Sequence, residues 1–285
     1  MALKRNERYP GRFENPSASH PQGAFKNRTS PSAQDGSYFE SDWANDWSGF
    51  FEALLQNAGV SANGEVDTAT ASQYYDALLA STPGRLSRIV TFSTSGTYTP
   101  PEGVKSIKVI LTGGGGGGCG CQGASTSQTF SGSGGGAAGT VIALLASLSA
   151  SYTVTVGTGG NGGTGANGGS NGGNTVFGAL QANGGLGASK LSATNTAGGL
   201  GGVATGGDIN LRGGDGSDGQ TGAYLLTGNG GASYHGGGGR AGASGGSEGR
   251  APGSGGGGAY DASTTGNSYS GGTGANGIVI IEEYS

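Results

Sequence analysis

Few residues in this chain are of types that do chemistry, and their spacing offers a handful of candidates. Gly213-Gly214-Asp215-Gly216-Ser217-Asp218 fits the GGxGxD repeat of calcium-binding β-rolls, in which stacked copies complete an oxygen cage. No second copy exists, and Gln220 stands where an apolar residue continues that repeat, so both carboxylates read as solvated turn residues. TVTVGTGGNGG sets a strand before Gly157-x-Gly159-x-x-Gly162, the spacing of a dinucleotide fingerprint. That fingerprint needs a helix next, whose N-terminus holds the pyrophosphate. The continuation TGANGGSNGG is no helix former, so the match is set aside. Glycan hydrolysis needs two carboxylates at working distance, and Asp215, Asp218 and Asp261 are the only plausible donors in the loop region. His20 and His235 are the only histidines, and neither has a nucleophile and carboxylate arranged around it in sequence. Cys119 and Cys121, the only cysteines, cannot form a disulfide framework or a zinc site and read as small reduced residues. The expectation is a non-enzymatic protein with no catalytic residue, no metal and no cofactor.

What must position anything here is glycine. The chain holds 68 glycines in 285 residues, nine of them in residues 1–112 and 59 in residues 113–285. Glycine recurs every third residue at Gly213, Gly216, Gly219 and Gly222, at Gly159, Gly162, Gly165 and Gly168, and at Gly236, Gly239, Gly242 and Gly245. A backbone of three residues per turn is a polyproline-II-like helix, whose N–H and C=O groups point outward and need partners. Glycine edges let neighbouring strands approach closely enough to supply them. The spacing therefore predicts a bundle of cross-bonded polyglycine-II-like strands. The region carries few charges, since ten of the 14 Lys and Arg lie in the first 108 residues, which disfavours a nucleic-acid partner. No apolar run reaches membrane-span length, and the N-terminus has no apolar h-region, so neither membrane insertion nor a signal peptide is expected.

Taken in order, residues 1–38 have no helical or strand period, and prolines at 10, 16, 21 and 31 bar a long helix. Tyr9, Phe13, Phe25, Tyr38 and Phe39 make this an extended docking arm with aromatic anchors. Residues 39–85 form a helical attachment and oligomerisation region. Trp43, Trp47, Phe50, Phe51, Leu54, Leu55 and Ala58 fall on one helical stripe that Gly59 ends. A second helix is predicted over 68–80, with Asp67 as N-cap and Pro83-Gly84 as stop. Residues 86–285 form the third region, with strands predicted at 88–92, 106–111, 140–145, 152–156, 175–181, 208–212 and 278–284. The last should pair with an early strand. The fold class is mainly β and irregular: a short helical N-terminal region, then a strand base bearing a glycine-rich bundle.

Specific contacts must come from segments that interrupt the glycine period: 122–130, 186–196, 224–235 and 260–269. They are rich in Tyr, Ser, Thr, Asn and Gly, the composition of antibody binding loops. Phe130, Tyr224, Leu225, Tyr234, His235, Tyr260 and Tyr269 are the candidate contact residues. The same tyrosines could instead cap the ends of the bundle.

RYPGRFENP, GAFKNRTSP and DGSYFESDWANDWSGFF resemble the opening of a group of tailed-phage tail proteins. VTFSTSGTYTPPEGVKSIKVILTGGGGGG, YTVTVGTGGNGG and GANGIVIIEEY are similar to the glycine-rich domain at the ends of phage tail fibres. More distantly, the triplet runs look like the polyglycine-II sandwich of fibre-tip adhesins. The resemblance implies a virion tail protein made in the host cytoplasm. It implies an N-terminus bound to other tail or baseplate proteins and distal loops that bind a bacterial surface receptor, a glycan or an outer-membrane protein. It also implies a homotrimer, with Tyr9, Phe13, Phe25, Trp43, Trp47, Phe50 and Phe51 serving attachment and oligomerisation. A purely structural tail spacer, or less favourably a surface-glycan depolymerase, is the alternative.

Overall fold

A computed structural model describes residues 5–21, 23–37, 41–82, 84–122, 129–190, 195–222 and 228–285. They form two compact units, residues 1–83 and 84–285.

The first unit is built on α1 (Ser41–Ala58) and α2 (Gln73–Ser81), after a single helical turn at Arg5–Arg8. Gly59 ends α1 at φ +69°, with its N–H donating to Gln56 O and the Val60 N–H to Leu55 O. The second helix starts later than its predicted start at 68. Residues Thr68 and Ala71 close a tight turn instead, and Ser72 is the N-cap, accepting the Tyr75 N–H at 3.1 Å. Asp67 still serves this end from a distance, accepting Ser72 Oγ–H and the Gln73 and Tyr74 N–H groups. Those donors, the Ser72 hydroxyl foremost, hold its carboxyl below the ordinary range.

The N-terminal arm is not extended throughout. Phe13 and Phe25 meet in an antiparallel bridge, and the rings run in a relay from Tyr9 through Phe13, Phe25, Trp43, Trp47 and Phe51 to Tyr74. Arg8 pairs with Asp42. Much of the aromatic content predicted to seek a partner is thus spent on the unit's own core, with Phe13 and Trp43 buried. Trp47 and Phe50 keep about half their surface exposed and, with Asp46 and Phe51, line a shallow apolar groove. Tyr38 and Phe39 lie outside the described residues.

In the second unit ten strands make the base: β1 (Leu86–Phe92), β2 (Gly96–Tyr98), β3 (Ser106–Thr112), β4 (Thr140–Leu145), β5 (Tyr152–Thr155), β6 (Thr175–Phe177), β7 (Leu180–Ala182), β8 (Ala204–Thr205), β9 (Ile209–Leu211) and β10 (Ile278–Tyr284). One sheet has the order β1-β10-β3-β4-β9 and the other β8-β7-β6-β5-β2. The C-terminal strand pairs antiparallel with both β1 and β3. The predicted strand over 175–181 is a hairpin, because Gly178 turns the chain at φ +58°. Alternate residues fill the space between the sheets: Ile107, Val109, Leu111, Val141, Ala143, Val279 and Ile281 against Tyr98, Tyr152, Val154, Phe177, Leu180 and Ala182. A buried carboxylate crosses this core. Glu283 accepts from Arg88 Nε and Nη2 at 3.0 and 2.8 Å and from the Tyr98 hydroxyl at 2.9 Å. Burial, then this carboxylate, raises the Tyr98 hydroxyl far above its ordinary value.

At one end of the sandwich, eight of these strands continue into glycine strands. Segments 113–120, 132–139, 157–163, 168–174, 183–188, 198–203, 213–218, 228–232, 237–241, 246–250, 253–258 and 270–277 lie side by side. Successive residues of 113–120 bond in different directions. The N–H groups of Gly116, Gly117 and Gly118 donate to Gly136, Ser170 and Gly272, all at 2.8–2.9 Å. Their carbonyls accept from Gly256, Ala188 and Gly163 at 2.9 Å. Three residues therefore satisfy six neighbours, as a three-residue turn with outward backbone groups requires. Segments 132–139 and 253–258 are surrounded in the same way, and these three touch one another.

Interior and rim strands differ in sequence for a steric reason. Inside, every direction is occupied by backbone, and a Cβ on Gly116 or Gly117 would lie 2.1 or 2.0 Å from a carbonyl oxygen of the next strand. Rim strands have one free direction and carry a larger residue every third position, such as Thr158 and Asn161. Gly117→Ala is expected to lower the unfolding free energy by at least about 3 kcal/mol, while the exposed rim change Thr158→Ala stays within about 0.5 kcal/mol. Denaturant titration of the two variants checks the contrast.

Candidate functional site

At the end of the bundle opposite the base the glycine strands give way to short paired strands. Six short strands form a ribbon there in the order Ser189–Lys190, Asn195–Ala197, Gly219–Gly222, Thr129–Ser131, Ala259–Asp261 and Gly242–Ala243. Ser268–Tyr269 pairs separately with Cys121–Gln122. The glycine strands turn round at this end, so parts of loops far apart in sequence become neighbours.

Tyr260 and Tyr269 are both here and half-buried. Tyr260 lies opposite Ser131, and Tyr269 opposite Cys121. Their loop folds around Asp261, whose side chain is buried and accepts Thr265 Oγ1–H at 3.1 Å and the Gly266 N–H at 2.9 Å. Burial pushes the Asp261 carboxyl up, but the hydrogen bonds from this turn outweigh it and hold it below the ordinary value. The Tyr269 hydroxyl bonds to Thr265 Oγ1 at 3.1 Å. Phe130 takes part by its backbone, paired with Thr221 and Asp261. Tyr224 and Leu225 lie outside the described residues.

Tyr234 and His235 do not join this group. They sit on the turn at 233–236, at the base end of the bundle. His235 Nε2 lies 3.1 Å from Thr112 Oγ1, which lies 2.8 Å from Thr140 Oγ1, and the Tyr234 ring meets the imidazole edge-on. Residues 228–235 run from the distal end of the bundle to its base, which composition alone does not reveal. Burial lowers the His235 pKa.

The candidate carboxylates have another occupation. Asp215 Oδ1 accepts the Gly201 N–H at 2.7 Å, and Asp218 Oδ1 accepts the Gly198 N–H at 2.8 Å. Asn171 and Asn174 do the same for Gly187 and Gly184. At the rim, a donor with no further strand to meet is completed by a side chain three residues from the next such acceptor. Cys119 and Cys121 are buried thiols that form no disulfide, and burial pushes the Cys121 thiol up to about 11. Gly157, Gly159 and Gly162 belong to a lattice strand that no helix follows. Among the described residues no group of three His, Cys, Asp or Glu is placed to hold a metal, and no helix is long and apolar enough to cross a membrane.

Sequence reading passed over Thr164, Asn167 and Ser270. Thr164 Oγ1 lies 3.2 Å from Ser270 Oγ, and Asn167 Nδ2 donates to Thr164 O at 2.7 Å. The glycine triplet at Gly162, Gly165 and Gly168 carries on through this chain reversal, where Gly165 sits at φ +58°, so spacing alone gives no sign of the turn.

The fold is that of a strand-based polyglycine bundle with a capped distal end. The family model described as a glycine-rich domain matches residues 91–284, and the chain belongs to that family. No curated protein matches the sequence.

His235 supplies a pH test of the base end. Its folded pKa is depressed, so its contribution to stability is full above the ordinary imidazole value of about 6.5 and is lost as pH falls through the lower folded value. Thermal midpoints of the wild type and His235→Gln should differ by a constant amount above about pH 7. That difference should shrink as the medium is acidified toward about pH 5.

Proposed function

We propose that this chain is a non-enzymatic structural protein of a tailed-phage tail, a fibre or tail-tip component. Its N-terminal region attaches to other tail or baseplate proteins, and its distal loops bind a receptor on the bacterial surface during adsorption. The observation that carries the reading is the gathering of the described parts of three interrupted segments, 122–130, 186–196 and 260–269, at the end of the bundle opposite the base. Loops held this way bind without paying to order their framework. The N-terminal motifs supply the tail assignment by resemblance. Exposed Trp47 and Phe50 supply apolar surface for attachment.

A second reading, a spacer with no receptor role, draws support from the distal residues themselves. Tyr269 and Asp261 spend their polar groups within their own loop. The two readings separate in one experiment. Labelled full-length protein is mixed with host cells, beside a variant carrying Tyr224→Ser, Tyr260→Ser and Tyr269→Ser whose unfolding transition stays cooperative. Receptor binding predicts at least a tenfold loss of cell-bound label, which is about 1.4 kcal/mol. Unchanged binding, or none by the wild type, favours the spacer.

A further inference from the structure

The base sandwich has four sheet edges, and they are not alike. Three end in very short strands: β9 and β2 with three residues each and β8 with two. Shortness is a common way to blunt an edge against pairing. The fourth edge, β1, has seven residues, LSRIVTF, rich in β-branched and aromatic types. It contains no proline and no lysine. Its one cation, Arg88, is engaged by Glu283. Among the described residues of this unit, β1 pairs on one side only, with β10.

The side chains of β1 are left half-finished in the same sense. Val90 and Phe92 pack against the sandwich core yet remain half-buried, because the core opens to solvent at this edge. Ile89, on the outer face, is 56% exposed. The register irregularity between Leu86 and Arg88 leaves Arg88–Phe92 as the regular stretch, whose midpoint is Val90.

We infer that β1 is a homodimer interface, pairing antiparallel with β1 of a second copy about a two-fold axis at Val90. Such an axis sets Val90 against Val90 of the second copy, Ile89 against Thr91, and Arg88 against Phe92. No like charges face each other, and the guanidinium meets an aromatic ring. The two half-open cores abut, so Val90 and Phe92 complete their burial. The interface is isologous, as two-fold pairing requires. A second copy is the occupant because the stretch is complementary to itself in the one register that uses all five regular residues. The inference does not depend on the tail reading.

The register makes the test specific. The mass of the full chain is measured by sedimentation across a concentration series, for the wild type and two double variants. In Ile89→Lys/Thr91→Lys, lysine faces lysine twice across the axis, and the dissociation constant should rise at least tenfold. In Ile89→Lys/Thr91→Glu, lysine faces glutamate twice, and the two-chain mass should persist. Both positions are exposed, so the unfolding midpoint of the single chain should change little. Amide exchange gives an independent reading: protection over residues 88–92 should increase with wild-type concentration. A single-chain or three-chain wild type, two variants that behave alike, or exchange at 88–92 indifferent to concentration would each overturn the inference.

Discussion

Peptide groups meeting peptide groups hold the glycine bundle together, and they can meet only where no side chain stands between them. An interior strand such as 113–120 has backbone on all sides and almost nothing else. Each hydrogen bond adds about 1 kcal/mol net, but leaving a buried N–H unmet costs more than making the bond gains. The arrangement is therefore all-or-none at each position. This explains why the interior tolerates only Gly, Ala, Ser and Cys, and why rim strands supply Asn and Asp where the lattice runs out. Ser133, for example, sits inside with its hydroxyl on Ala197 O.

The bundle does not start itself. Glycine loses more conformational freedom on folding than any other residue, and an isolated polyglycine strand has no internal bonds to offset that loss. The apolar sandwich addresses this by fixing the spacing and direction of the strands that enter the bundle. Val109 and Leu111 run straight into Gly113, and Gly277 runs straight into Ile278. Bidentate contact between Arg88 and Glu283, together with the Tyr98 hydroxyl, ties the last strand to both sheets at the open edge.

Much of this is legible in the sequence, and unevenly so. Triplet spacing marks the rim strands, because one residue in three faces water and is free to differ from glycine. Segments such as TGGNGG announce themselves this way. The unbroken run from Gly113 to Gly118 has no visible period, yet it is the centre of the lattice, since nothing there faces out. Helix ends followed local rules at Gly59, but α2 began at Gln73 because Asp67 reaches across a turn rather than capping directly. The candidate site was harder to read. Composition picked out the interrupted segments but not which end of the bundle each occupies, so Tyr234 and His235 were grouped with residues at the far end. Nor did it show that Asp215 and Asp218 were acceptors for Gly201 and Gly198, since those pairings depend on which strands are neighbours.

A core made of amides rather than hydrocarbon also responds to temperature in its own way. Unfolding apolar surface raises the heat capacity, whereas exposing polar surface lowers it, and the first effect gives ordinary domains their domed stability curve. In this unit the two halves pull oppositely: the sandwich of Ile107, Val109, Leu111 and Phe177 contributes curvature, and the glycine strands flatten it. The result is a shallow dependence on temperature, with cold costing little, in a molecule whose rigidity owes more to its backbone than to oil.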